Sequence, residues 1–429
     1  MLDKMNKKKL IMYLEREVNL LKLAQSLDQN VLSHSYKFEK ISKKKKQKIL
    51  KGGNRFNIDI QGLKKIYNSI ISRTLTKYHE KTSKLISGGE GKIDLKKIFD
   101  ERLGNLNKHS CSIARTNLDG TVINQSTCYS KESLLLLANY WNENHQDQIK
   151  VDKDSHIFDI HSKLDKKMEK YCPKGNEICW AAQQWVKDST IKDKTFRGTI
   201  PKGKEEWLST LDIDYTMNQF QDPYFYFTYL GSYAIDFESY ENKMNNFQIS
   251  DYVDIESINL ENTKTEQVIR KPPVQILGMV LNLDKHDRSG SHWVALSIIF
   301  YRDRRIPTEF SYFDSTSCKD KVDCPPPEVK SFYQKVKKQL QDIDEEGYKI
   351  SGLLVNEKQT QFGNSECGMY SMRYLIMRIH LFTFEEACNN ILHDEEMNNE
   401  RKNFFRKDNG YDTSENHLPI YRYERMMQR

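Results

Sequence analysis

Gln361-Phe362-Gly363-Asn364-Ser365-Glu366-Cys367-Gly368-Met369-Tyr370 is the stretch on which the reading of this chain turns. A cysteine stands at a Cys-Gly step, and behind it Met369, Tyr370, Met372, Leu375, Ile376 and Ile379 recur at the spacing of a buried helix. The sulfur is therefore expected at a helix N-terminus, where unpaired backbone N–H groups and the helix dipole favour a thiolate. Gln361, six residues upstream, carries an amide able to donate to a developing oxyanion. The stretch has no base, so the rest of the chain must supply one.

Upstream, Ile276 to Leu283, Trp293 to Tyr301 and Phe310 to Asp314 are apolar and β-branched and read as strands. Pro325-Pro326-Pro327 breaks the chain, and a helix over Val329 to Leu340, a strand near Tyr348 to Val355 and the helix opening at Cys367 follow. Strands followed by helices, with adjacent antiparallel pairs, indicate an α+β fold with a mixed sheet and flanking helices. The short connection over 302–309 suits an antiparallel pair, which sets His292, at the start of one strand, beside Asp314, at the end of the next. An Asp there can orient an imidazole, and the imidazole can hold Cys367 as a thiolate–imidazolium pair. Each residue alone has a plainer explanation: His292 as a strand-edge structural group, Asp314 as an Asx-turn, Gln361 as a surface amide. The order His, Asp, Gln-x5-Cys-Gly on correctly placed elements is what makes the catalytic explanation the stronger one.

The remainder of the chain sets limits. Among 429 residues, 1–100 carry 24 Lys and Arg against 10 Asp and Glu, a balance of +14, while the other 329 residues carry 43 against 50, a balance of −7. The basicity therefore belongs to an N-terminal segment. That segment lacks proline, as does the whole of 1–172, and includes the run Lys43-Lys44-Lys45-Lys46, so it reads as mainly helical with solvated breaks. Its charge is a solubilising face or an arm for nucleic acid or an acidic partner. No run reaches the ~18 apolar residues of a membrane span, and no secretory signal is visible at Met1 to Leu10. Eight scattered cysteines point to reduced thiols in a cytosolic compartment. Cys172-x6-Cys179 and Cys318-x5-Cys324 lack zinc spacing, so neither a metal nor another cofactor is expected. Cys179-Trp180 has no Gln six residues before it and reads as a buried structural cysteine.

Gly290-Ser291-His292-Trp293-Val294, Tyr312-Phe313-Asp314-Ser315 and Gln361 through Tyr370 resemble the His, Asp and Gln/Cys boxes of the adenovirus-protease and Ulp1-like (SUMO protease) clan of cysteine peptidases. Within it the chain is most similar to the polyprotein-processing proteases of African swine fever virus and other large DNA viruses, through Asp212 to Met217, Leu277 to Asp284, Asp394 to Met397 and Phe404 to Arg406. The resemblance covers 196–410. One departure is Asp314, where the swine fever enzyme carries Asn.

Composition and pattern divide the rest of the chain into a basic, mainly helical extension over 1–105 and a helical arm region over 106–195, and the resemblance implies a Ulp1-like cysteine protease domain over 196–429. It implies Cys367 as nucleophile, His292 as base and acid, Asp314 as orienter and Gln361 as oxyanion donor. It further implies cleavage of viral structural and core precursors after Gly-Gly, in the host cytoplasm (virus factory) and the virion, through a narrow groove walled by Trp293 and Trp207. The rival activities are removal of ubiquitin- or SUMO-like modifiers and an inactive basic nucleic-acid-binding scaffold. The chain's own double glycines, Gly52-Gly53 and Gly88-Gly89, are flexible linkers or sites of self-trimming.

Overall fold

The computed structural model describes residues 95–407, apart from 118, 125, 202–206, 225, 253–273, 302–305, 344–348 and 390–391. The basic runs before residue 95 and both double-glycine steps lie outside these residues. From Lys96 onward the described residues belong to one unit.

Five strands form one sheet in the spatial order of the chain: β1 (Phe227–Ala234), β2 (Val274–Asn282), β3 (Trp293–Tyr301), β4 (Thr308–Phe313) and β5 (Ile350–Val355). The three middle strands are antiparallel neighbours, while β1 joins β2 and β5 joins β4 in parallel. The sheet is thus mixed, as the alternation of apolar runs and turns predicts. β2 and β3 are buried along nearly their whole length. This is why both read as continuous apolar runs rather than as alternating ones.

A parallel partner needs a crossover, and β4 reaches β5 through helix α5, Pro327–Ile343; among the described residues the longer helices before it are four. These are α1 (Leu95–Leu106), α2 (Lys131–Asn144), α3 (Ile157–Met168) and α4 (Thr210–Asn218). In α5, Val329, Phe332, Tyr333, Val336 and Leu340 form one buried stripe with the 3–4 residue spacing of an amphipathic helix. Strand β1 has no counterpart in the sequence reading. Asp212, part of a stretch singled out by resemblance, closes a capping box with Ser209 at the start of α4.

Helix α6, Cys367–Ile379, is buried over all of its residues. It lies against β2 and β3, and Tyr374 bonds it into the sheet: its hydroxyl is 3.2 Å from Ser297 Oγ on β3 and 2.7 Å from Ser311 Oγ on β4. The Tyr374 ring stacks on Phe313 with centroids 4.7 Å apart. Gly368 lets this helix approach Leu208 closely, since a Cβ there would meet the Leu208 side chain at 3.1 Å. Helix α7, Asp394–Phe404, follows.

The residues before the sheet build a second apolar cluster. Leu134, Leu137 and Trp141 of α2 pack with Ile160, Leu164 and Met168 of α3, and with Trp180 and Phe196. Helix α1 turns toward the C-terminal end of α6, where Phe99 meets His380 and Phe382 edge-on and the Arg373 guanidinium lies over the Phe99 ring.

The expectation of reduced thiols is corrected for six of the eight cysteines. Cys111–Cys128, Cys172–Cys179 and Cys318–Cys324 are disulfides, with Cα separations of 5.0, 5.7 and 5.1 Å; Cys367 and Cys388 are free and buried. Pairing depends on how loops fold back in space, which the scatter of cysteines along the chain does not encode. Cys179 is accordingly a structural residue. Among the described residues no helix is long and apolar enough to cross a membrane.

Candidate active site

The β3–β4 register places Ala295 opposite Phe313. One step beyond β3 lies His292 and one step beyond β4 lies Asp314, both at the same end of the antiparallel pair. There His292 Nε2 is 2.8 Å from Asp314 Oδ1. Asp314 is almost wholly buried and heavily held. Thr316 donates its N–H and hydroxyl to Oδ1 at 2.8 and 2.7 Å, and Lys321 Nζ lies 3.3 Å from Oδ2. Asn356, just past β5, clamps the backbone: its Oδ1 accepts from Asp314 N and its Nδ2 donates to Asp314 O, both at 2.8 Å.

Electrostatics follow from this packing. Burial favours the neutral carboxyl of Asp314, but the His292 and Thr316 hydrogen bonds outweigh it and hold the group below its usual range, so it stays ionised. Burial likewise disfavours the His292 cation. The hydrogen bond and charge of Asp314, then those of Cys367, prevail and raise His292 to about 9. Nε2 is engaged by Asp314, so Nδ1 is the nitrogen that remains for the Cys367 sulfur.

Cys367 is the first residue of α6 and is 1% exposed. Its chain neighbour Glu366, at the N-cap position, is a buried carboxylate. Arg401 of α7 neutralises it through three contacts of 3.1–3.2 Å. Without that partner a buried carboxylate would be left uncompensated at the head of the helix.

Gln361 is also buried, and its amide is oriented. Its Oε1 accepts from Ser315 Oγ at 2.6 Å, its Nε2 donates to Gly363 O at 2.9 Å, and its backbone N–H bonds to Ser315 O at 2.9 Å. The loop carrying the amide is therefore stitched to the residue that follows Asp314. Of the two tryptophans, Trp207 is 44% exposed, whereas Trp293 is 5% exposed and spends its indole N–H on Leu208 O. Trp293 thus ties its buried strand to the Trp207–Leu208 segment.

Sequence reasoning missed Asn356, Ser315, Asp394 and the Glu366–Arg401 pair. Ser315, Glu366 and Asp394 stood inside the stretches quoted for resemblance, without a role, whereas Asn356 and Arg401 carried no signal. For metal, Asp314, Cys318 and Cys324 bring donor atoms within 4.8 Å of one another. The two sulfurs are joined to each other and Asp314 is spent on His292, Thr316 and Lys321, so this trio offers no donor set.

No protein-family model matches the chain. It is 25% identical over 307 residues to the R-series thiol protease of Acanthamoeba polyphaga mimivirus, covering 66% of this chain and 89% of that relative. It is 27% identical over 227 residues to the cysteine protease of African swine fever virus (Malawi tick isolate), covering 53% and 78% respectively. The crystal structure of the African swine fever virus protease aligns with a TM-score of 0.45 at 21% identity, over 70% of this chain and 96% of that one. The named relatives are thiol and cysteine proteases, and the chain is a cysteine-type protease similar to those of large DNA viruses.

Proposed function

We propose that this protein is a cysteine endopeptidase that cleaves viral structural and core precursor proteins at Gly-Gly-type sites during virion maturation. The observation that carries the reading is the buried Cys367 at the head of α6 together with the His292–Asp314 pair, 2.8 Å apart at one end of β3 and β4.

In this reading the Cys367 thiolate adds to the scissile carbonyl carbon, and the C=O electron pair moves onto oxygen. That oxyanion takes hydrogen bonds from the Cys367 backbone N–H and the second proton of Gln361 Nε2, a donor worth roughly 3–4 kcal/mol in related chemistry. As the C–N bond breaks, the His292 imidazolium gives its proton to the leaving amine. The neutral imidazole then takes a proton from water, whose oxygen attacks the thioester; loss of the C–S bond restores the thiolate–imidazolium pair. Trp207 and Phe362, 44% and 71% exposed, stand beside Leu208 and Gln361 and serve as aromatic walls. Between such walls a chain without Cβ atoms fits best.

The basic segment over 1–105 engages nucleic acid or an acidic partner, the arm region over 106–195 follows, and 196–429 is the protease domain. The site of action is the virus factory in the host cytoplasm and the virion. Incubating the purified protein with candidate capsid and core precursors, beside a SUMO- or ubiquitin-tailed probe, tests the reading. New N-termini directly after Gly-Gly in the precursors support it. Turnover of the modifier probe alone replaces it with deconjugation, and turnover retained by Cys367→Ala removes the assignment.

A further inference from the structure

Asp394, the first residue of α7, lies outside the set of residues assigned above, yet its carboxylate touches both halves of the site. Oδ2 accepts the backbone N–H groups of Phe362 at 3.0 Å and Gly363 at 2.7 Å. Oδ1 is 3.2 Å from the hydroxyl of Tyr370, three residues into the helix that Cys367 begins. Gly363 is the residue whose carbonyl accepts from Gln361 Nε2. One carboxylate therefore holds the two peptide groups that lead into the Gly363 carbonyl, while its other oxygen faces a Tyr370 hydroxyl whose nearer acceptor is Leu392 O, at 2.7 Å. Ser315 holds the other end of the same amide through Oε1, so Gln361 is gripped at both ends of its polar group.

We infer that Asp394 is a positioning residue for the oxyanion side of the site, acting through Gly363 on Gln361. The inference rests on the oxyanion role given to Gln361 above. A carboxylate suits the task because two convergent N–H groups bond to one ionised oxygen more strongly than to a neutral one. Its place in the first turn of α7 also favours the charge. Without Asp394 the Phe362–Gly363 peptides lose their acceptor, the Gly363 carbonyl is free to turn, and the Gln361 amide follows it. The thiolate–imidazolium pair is untouched, since His292 and Asp314 are held from β3, β4 and Asn356.

Two reactions of Cys367 separate these effects. Acylation by p-nitrophenyl acetate passes through an oxyanion, whereas alkylation by iodoacetamide does not and reports only the thiolate and its imidazole. Asp394→Ala is expected to slow the p-nitrophenolate burst by about 10- to 100-fold, a range bounded by loss of one oxyanion donor. The alkylation rate should stay within about twofold of wild type, because one lost oxyanion contact leaves nucleophile activation intact. Asp394→Asn, whose amide oxygen still accepts both N–H groups, should recover most of the burst. In a Gln361→Ala background, adding Asp394→Ala should cost almost nothing further, the mark of two residues acting as one unit. If Asp394→Ala is not recovered folded, Asp394→Ser retains a residue suited to a helix start while removing the carboxylate. An equal loss in the Gln361→Ala background, or alkylation falling in step with acylation, overturns the inference. The ester does not depend on Gly-Gly recognition, so normal ester acylation without precursor cleavage would defeat only the substrate reading.

Discussion

Replacing Asp314 by Asn isolates the charge that polarises the site. Asn keeps an oxygen that can accept from His292 Nε2–H and Thr316 N–H, which in the wild type lie 2.8 Å from the same Oδ1, so the imidazole keeps its orientation. The negative charge is lost, and with it the Oδ2 acceptor that Lys321 Nζ meets at 3.3 Å. In the wild type His292 rises from 6.5 to about 9 against an opposing burial effect, with Asp314 contributing more to the rise than Cys367. A rise of that size corresponds to roughly 3 kcal/mol of preference for the imidazolium. Removing the larger share should lower His292 by about 1–2 units, or roughly 1.5–3 kcal/mol.

The imidazolium must protonate the leaving amine, so kcat/KM for a Gly-Gly peptide amide should fall on the alkaline side near pH 9 in the wild type. In Asp314→Asn that alkaline limb should move down by about the same 1–2 units. A p-nitrophenyl ester serves as control, because its leaving group needs no proton and its alkaline limb should be weak in both proteins. The measurement is a pH–rate profile from about 5 to 10.5, covering both sides of the shifted value. Coincident alkaline limbs in the two proteins would refute the assignment of Asp314 as the source of the shift.

Cys367→Ala should abolish cleavage with an unchanged thermal midpoint, and His292→Ala should lower kcat by about 10³-fold or more; retained turnover in either one contradicts the site. Arg401→Leu leaves the buried Glu366 carboxylate unpaired and should destabilise by about 3–5 kcal/mol in urea unfolding. Adding Glu366→Leu should recover much of that loss, and no recovery would mean that the pair is not what the single change breaks. The raised His292 contributes stability that is complete below its unfolded value near 6.5 and is lost as pH rises through about 9. The wild-type thermal midpoint should therefore decline over that window more steeply than that of His292→Ala. Self-trimming at Gly52-Gly53 or Gly88-Gly89 predicts a shorter N-terminus by mass spectrometry in wild type than in Cys367→Ala; identical termini would exclude it.

Local pattern carried a large part of the architecture. The apolar runs from Trp293 and Phe310 and the helical spacing after Cys367 are short-range signals, and their order along the chain allowed His292, Asp314 and Cys367 to be named as a group. Strand β1 escaped although Phe227–Leu230 has the aromatic and β-branched composition of a strand; Gly231, with a φ of 128° at a register shift against β2, interrupts the run. Nothing local marks such a segment as an outer strand of the sheet.

What the sequence by itself determined is the chemistry: a cysteine at a helix head, a strand-edge histidine and an aspartate placed to meet it by antiparallel pairing. These follow from periodicity and chain order, which act over a few residues at a time. The tertiary structure decided which groups hold that chemistry in place. Asn356 on Asp314, Arg401 on Glu366, Ser315 and Asp394 around Gln361 and the buried position of Trp293 all bring together residues distant in the chain, while the disulfides close loops with sequence separations of 17, 7 and 6. A hydrogen bond or ion pair between such residues depends on angstrom-scale placement of buried polar groups, and burial is a property of the assembled layers rather than of any one stretch.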